Sequence, residues 1–463
     1  MSPAFGVGLI KGWSMLWTAV LLVVQDIKTD FRRIERSNTP IKRRNHSQTF
    51  QASATTTSQD QDHQGRVRKR DIPVAEGLER IPNEDTAERN LSKSTLFWEA
   101  YPDSLLRRID WVADAFTTFR GMTWSWRISG PPPVPESIQL ELQDGFARAS
   151  EGGPRYVVGR DGTRMYSNLR DLLVARARSF VVGYLVTDAL KTITVHDEYF
   201  LLGDHGKSAP SFIPLTFQNI PGLVQSYRLV VSMMMIYTGL HIIFDLAPLF
   251  FAGLLGPKLI GVRGEPWVYP DTYGSFTKVL DKGLGGFWGG WWHQTFRYGF
   301  ESIGKRATRE LKLHPRSASA KMLQLVVAFG LSGCLHACGS MTQPGSTYPL
   351  RGPFLFFILQ PCGIILQPLL SNQLKRLGIL EKMPKFFRRA TNFMYAYSWL
   401  HFTAPLLVDD FARGGLWLFE PIPFSPLRGL GLGVEDMGWW CWEGFPWIRW
   451  HRGKHWWQTG LAL

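Results

Sequence analysis

Cysteine is scarce in this chain, with four in 463 residues, at positions 334, 338, 362 and 441. So few, two of them inside apolar runs, exclude a disulfide framework, and no zinc spacing is present. Cys334 and Cys338 lie one helical turn apart without neighbouring ligands and read as small buried hydrophobes. Catalytic signatures of soluble enzymes are missing too: there is neither a G-x-S-x-G elbow nor an H-E-x-x-H pair. The GLGLG at 429 to 433 is no dinucleotide fingerprint, because no strand precedes it and no βαβ unit surrounds it. Acidic residues are in the minority, 38 against 52 Lys and Arg, for a formal charge of +14. The basic residues sit beside apolar runs, so the surplus reads as membrane-protein loops rather than as a nucleic-acid surface. No internal repeat is apparent.

What the chain has in quantity is apolar sequence gathered into long runs, with 19 Trp and 30 Phe. Aromatic enrichment of that kind suits the membrane interface, where a ring with a polar edge sits at headgroup depth. The first run, GVGLIKGWSMLWTAVLLVV, carries its positive charge behind it, in DFRRIER and KRR. A cleavable signal has its charge in front, so residues 1–35 read as a retained membrane helix with a basic cytoplasmic flank. Residues 36–94 are polar and nearly free of aromatics and read as a disordered loop. The remaining 95–463 forms the main domain.

Within it, residues 95–160 place a charge every few positions and predict amphipathic interfacial helices. Residues 172–195 are ambiguous, since Arg176, Arg178 and Asp188 would be costly in lipid unless they face protein or water. Residues 229–251, 322–341, 353–370 and 393–408 approach the ~20 residues of a spanning helix. Basic loops at 256–321 and 374–389 are expected in the cytoplasm, and the nearly uncharged MTQPGSTYPLRGP in the lumen. The expected class is an all-α polytopic membrane protein.

Polar groups inside apolar helices are the strongest chemical clue, because an ionisable residue at membrane depth is expensive. His241, His336 and His401 qualify. Ser332, His336 and Ser340 follow one another at i, i+4 and line one face, beside the small Gly333, Ala337 and Gly339. That stripe fits a substrate cavity, and it also fits a hydrogen bond to a neighbouring helix with close packing. In GGFWGGWWHQTFR, a helical reading puts Gly286, Gly289, Gly290, His293 and Arg297 on one face and spreads Trp288, Trp291 and Trp292 over the others. Glycine costs ~1 kcal/mol against alanine inside a helix. Its recurrence beside a histidine suggests close approach of a ligand, while the tryptophans read as a membrane anchor. Asp409 and Asp410 read as helix-end residues, and WWCWEGFPWIRWHRGKHWWQTG as an interfacial segment of tryptophans and cations.

FWGGWWHQTFR resembles the FWG..WHQ signature of the wax synthase-like branch of the membrane-bound O-acyltransferases, and LSGCLHA at 331 to 337 resembles that family's second histidine motif. DFRRIER, YPDSLLRRIDWVADAFTTFRGMTWSWRI, WLFEPIPFSPLRGLGLG and WHRGKHWWQTGLAL extend the likeness over residues 6–36 and 95–463, in particular to fungal members that acetylate terpenoid and meroterpenoid metabolites. Where relatives often carry a basic or bulky pair in the aromatic motif, this chain has Gly290 and Trp291.

The resemblance implies acyl transfer from acyl-coenzyme A to an alcohol, with His336 as general base and His293 assisting. It implies acetyl-CoA as a co-substrate rather than a bound cofactor, no metal, and a membrane-helix bundle resident in the endoplasmic reticulum. Partners would be a lipophilic alcohol from the bilayer, acyl-CoA and membrane lipids, with no nucleic acid. The donor would lie against Trp288, Gly289, Trp292 and Arg297, with Lys305 and Arg306 attracting its phosphates. Ser332 and Ser340 would line the substrate cavity. No Cys or Ser stands beside a base, so direct transfer through a ternary complex is expected. Long-chain acylation of a fatty alcohol and membrane transport are the alternative readings.

Overall fold

The computed structural model describes residues 4–37, 95–144, 154–203, 209–220, 222–435, 437–442, 449–453 and 459–462. The polar loop expected at 36–94 lies outside them, apart from its first two residues. The chain divides into two units: Met1–Ile34, Trp98–Pro135 and Glu151–Leu463 form the larger, and Glu35–Phe97 with Glu136–Ser150 the smaller. In the smaller unit the helix Glu136–Asp144 carries Glu141, whose carboxylate accepts the Leu96 N–H at 2.9 Å.

The larger unit is a helical assembly: α1 (Ala4–Ala19), α2 (Leu105–Thr117), α3 (Leu169–Thr194), α4 (Leu223–Pro248), α5 (Thr277–Gly286), α6 (Arg297–Glu310), α7 (Ala318–Met341), α8 (Leu355–Arg376), α9 (Lys385–Thr403) and α10 (Pro405–Gly414). Among the described residues, four helical stretches are long and apolar enough to cross a membrane: Ala4–Val24, Leu223–Gly264, Ala318–Met341 and Leu350–Arg376. The helical, polytopic class expected from the sequence is thus what the chain adopts. Residues 393–408 differ from the expectation. They are split between α9 and α10 at Ala404, and α9 opens with Lys385, Arg388 and Arg389. The segment 95–160 also differs, because it begins as the strand Thr95–Glu99 before the amphipathic α2.

The ambiguous segment becomes α3, in which Arg176, Asp188 and Lys191 are buried against protein while Arg178 is exposed. The Arg176 guanidinium reaches Asp271 at 2.7 Å and Asp245 at 3.4 Å. Asp188 accepts from Ser425 and, at 3.0 Å, from the Leu427 N–H. Lys191 donates to the Trp417 carbonyl at 2.7 Å, and Arg428 pairs with Glu420 through two bonds of 3.0 Å. The WLFEPIPFSPLRG stretch is therefore bound to α3 by buried polar contacts, the condition under which charge is tolerated at depth. Arg33, from DFRRIER, is likewise buried between Glu99 (2.7 Å) and Asp110 (2.6 Å).

At the centre, α7 packs against α1, α6 and α8. A Cβ on Gly8 of α1 would stand 2.1 Å from the Cys338 carbonyl oxygen, so only glycine permits this approach of backbones. Cys334 is exposed on the outer surface, not buried as the sequence suggested. Asp409 and Asp410 do more than end a helix: Asp409 accepts from the Tyr199 hydroxyl at 2.8 Å, and Asp410 from Ser340 Oγ and the Tyr348 N–H, each at 2.6 Å.

Candidate active site

The aromatic motif is positioned by a bend. Gly283 adopts φ +58, a left-handed value open to glycine, and Gln367 from α8 accepts the following Leu284 N–H at 3.0 Å. After Gly286 the chain makes a π-helical turn, Phe287–Trp291, and leaves the helix at Trp292 (ψ 150). Gln294 fixes this exit, its amide nitrogen donating to the carbonyls of Trp288 (2.8 Å) and Trp292 (2.6 Å). Residues 285–299 are therefore not one helix. The expected face of Gly286, Gly289, Gly290, His293 and Arg297 is broken before His293.

The broken helix opens a cavity of about 290 Å³. One wall is α7, contributing Leu325, Ala328, Phe329, Ser332 and His336. At 1.5 Å per residue, Leu325 to His336 gives the cavity a length of about 16 Å along that helix. The opposite wall comes from the aromatic motif, and Phe357 of α8 closes one side, its ring centroid 4.2 Å from that of His336.

The two motif histidines, 43 positions apart in sequence, meet in this one space. His336 Nδ1 lies 2.8 Å from the Ser332 carbonyl oxygen. A carbonyl only accepts, so Nδ1 carries the hydrogen and Nε2 keeps its lone pair. His293 Nδ1 is buried with no hydrogen-bond partner among the described residues, so Nε2 is the nitrogen left to the cavity. Burial, with smaller contributions from His336 and the buried Arg120 guanidinium, pushes the His293 imidazole down to about 3, which keeps it neutral at pH 7.

Most of the other expected site residues reach the same place. Trp288, Gly289, Trp292, Arg297 and Ser332 all line the cavity. Ser340 does not; it is fully buried and spent on Asp410. Arg297 is engaged by Glu301 at 2.5 Å and Gln294 at 3.1 Å, Lys305 by Glu301 at 3.2 Å, and Arg306 by Glu310 at 3.3 Å. His241 is bonded to Asp245 (3.1 Å) and Ser179 (3.2 Å) and stacks on Tyr273, while His401, bonded to Ser226 at 3.3 Å, lines a separate cavity of about 280 Å³.

The tryptophans overturn the anchor reading. Trp288, Trp291 and Trp292 pack against the buried core, with Trp291 stacked on Tyr237 at 5.5 Å and Trp292 on Phe287 at the same distance. Gln360, fully buried, accepts the Trp288 Nε1–H at 3.2 Å. Sequence reasoning missed Gln360, Gln294, Glu301 and Phe357. A glutamine within the apolar FFILQPCGI was the available signal for the first.

Against known proteins, residues 269–359 match the profile of the Membrane bound O-acyl transferase family, a segment holding both cavity histidines. Over 166 residues the chain is 29% identical to Acetyltransferase ataH of Aspergillus terreus, covering 34% of this chain and 52% of that one. It is 25% identical to O-Mevalon transferase macI of Penicillium terrestre over 274 residues, 56% and 52% of the two chains. To Acetyltransferase sirH of Leptosphaeria maculans it is 24% identical over 332 residues, 71% and 70%. The chain spans about half of the length of the first of these curated relatives. No solved structure matches. The resemblance read from FWGGWWHQTFR and LSGCLHA is thereby supported.

Proposed function

We propose that the chain is a membrane-bound O-acyltransferase that moves an acetyl group from acetyl-CoA to a hydroxyl of a terpenoid or meroterpenoid alcohol in the endoplasmic reticulum membrane. The observation that carries this reading is the pair of histidines in one cavity with different hydrogen-bonding states. His336 presents a lone pair at Nε2 because its Nδ1–H is held by the Ser332 carbonyl. That nitrogen takes the alcohol proton as the oxygen attacks the thioester carbonyl.

His293 supplies the complementary group. Leaving a lone pair unpartnered in the interior is more common than leaving an N–H so, which puts the His293 hydrogen on Nε2, facing the cavity. A neutral imidazole with its N–H aimed at the reacting carbonyl stabilises the developing oxyanion, an interaction worth ~3 kcal/mol in favourable cases. When the C–S bond breaks, the His336 imidazolium returns its proton to the departing thiolate, giving the ester and free coenzyme A.

The cavity volume favours a short acyl group. About 290 Å³ lies at the lower edge of the ~300–1,000 Å³ typical of small-molecule sites, which suits acetyl with part of the acceptor better than a long chain. The cavity runs along α7 toward Arg297 and Glu301, in the basic segment expected on the cytoplasmic side, which supports entry of the donor from that end.

Microsomes containing His336→Ala at the wild-type protein level test the assignment. Ester formation from acetyl-CoA and the alcohol should be lost. A normal rate would remove His336 from the role of base. Substituting palmitoyl-CoA for acetyl-CoA in the wild type should abolish the product, and efficient palmitoyl transfer would move the reading to wax ester synthesis.

A further inference from the structure

A second cavity, of about 340 Å³, shares no lining residue with the first. It lies among α5, α8, α9 and the loop joining α8 to α9, and its polar lining is Lys385, Arg388, Arg389, Ser371, Thr391 and Asn392. Arg389 is paired with Asp281 at 2.7 Å, the one acidic residue among the described residues that line the cavity. Lys385 and Arg388 make no ion pair and no side-chain hydrogen bond among the described residues. The Ser371 and Thr391 hydroxyls donate to the Gln367 and Phe387 carbonyls, each at 2.9 Å, so the hollow's free donors are the Lys385 and Arg388 head groups. Asp281 offsets part of their charge, and two such cations on one hollow form a receptor for a phosphate group.

Residues next to the lining in sequence point to the source of that phosphate. Leu369 and Leu370 on α8, Leu377 beyond it, and Phe386 and Phe387 on α9 are all exposed large hydrophobics. With Leu374, Leu380 and Met383 lining the hollow itself and these apolar side chains exposed on the helices and loop that form it, the site fits an amphiphile, with its headgroup in the hollow and its chains along the helices. The loop at 374–389 is also the one whose charge assigns it to the cytoplasmic face, where anionic lipids collect and basic pockets between membrane helices bind their headgroups. We propose that this cavity binds the headgroup of an anionic phospholipid.

The hollow is tied to the bend beside the first cavity. Asn392 on its wall accepts from Gln367 Nε2 at 3.1 Å and donates to the Leu280 carbonyl at 3.0 Å. The same Gln367 side chain accepts the Leu284 N–H next to Gly283. Three hydrogen bonds thus join the lipid pocket to the residues that shape the catalytic wall.

The test is a binding titration of the detergent-purified full chain, read by its thermal unfolding midpoint, so it needs no turnover and stands apart from the acyl-transfer reading. Phosphatidic acid should stabilise the protein, whereas phosphatidylcholine with the same chains should not. The double variant Lys385→Gln, Arg388→Gln should bind phosphatidic acid about thirtyfold more weakly, at ~1 kcal/mol for each cation near an anionic surface. Both side chains are exposed, and an unchanged midpoint without lipid verifies the fold. Equal affinity in the double variant would overturn the site. Inorganic phosphate or coenzyme A binding as tightly as phosphatidic acid, through the same two cations, would overturn the lipid as its occupant.

Discussion

Replacing Gly289 with alanine is expected to stabilise the protein while impairing turnover, a combination that ordinary damage does not produce. Four glycines surround the π-helical turn, and they divide into two kinds. A Cβ at Gly286 would stand 1.9 Å from the Lys278 carbonyl oxygen, and one at Gly290 would stand 2.9 Å from the Lys278 Cβ, so packing demands glycine there. A Cβ at Gly289 would meet nothing within 4 Å, and at Gly285 only an Ile364 methyl at 4.0 Å. Both of these line the cavity, and neither has a positive φ. Alanine at 289 should therefore gain up to ~1 kcal/mol from helical preference. Its methyl would stand in space the substrate needs, and overfilling a fitted space costs ~1–3 kcal/mol. At 1.36 kcal/mol per factor of ten, kcat/KM for the bulky alcohol should fall roughly tenfold to a hundredfold. Thermal unfolding and steady-state ester formation on Gly289→Ala and Gly286→Ala together decide it. A fall in the unfolding midpoint of Gly289→Ala to match Gly286→Ala, or an unchanged kcat/KM, would refute the division.

Two further outcomes follow from buried charge. An unfolded His293 titrates near 6.5, whereas the folded one is held down to about 3, so below pH 6.5 the unfolded chain takes up a proton that the folded chain refuses. Stability should then fall as pH falls from about 6.5, and the slope should flatten in His293→Gln when unfolding is followed across that range; an identical slope would contradict the neutral, buried state. Arg33→Ala should destabilise by about 3–5 kcal/mol, because Glu99 would be left buried beside two other carboxylates. Denaturant unfolding measures this, and a change below ~1 kcal/mol would show the cluster to be well hydrated.

The parts of the site that were legible in sequence are those whose signal is local. His336 stands out because a polar residue interrupts an apolar run, and His293 because glycine recurs beside it. The i, i+4 stripe correctly placed Ser332 with His336, but it also enrolled Ser340. Periodicity defines a face without saying where along it a cavity ends, and Ser340 lies one turn further on, against Asp410. The tryptophans failed for a related reason. An aromatic cluster has the same composition at a membrane interface as in a core, and only the neighbours Tyr237, Phe329 and Phe356, remote in sequence, decide between them. The bend at Gly283 depends on Gln367, more than eighty residues later, so the helix assumed over 285–299 had no local contradiction.

The packing of α1 on α7 bears on how the protein is made. Phe5 stands 6.2 Å from the His336 ring, Gly8 meets the backbone at Cys338, and Trp13 lies against Phe296 at 4.6 Å. These partners are synthesised roughly 300 residues after the first helix. At ~5–20 residues per second, α1 waits on the order of 15 to 60 s before the helix bearing His336 emerges. Its tryptophans meet earlier partners, Trp17 donating to the Ala115 carbonyl at 3.0 Å and Trp13 lying 6.0 Å from Phe119, whereas Phe5 and Gly8 wait for α7. The helix that bears His336 therefore gains its α1 backing only once residues 318–341 have been made, and a ribosome that stalls before residue 318 leaves α1 without that partner and the cavity without its α7 wall.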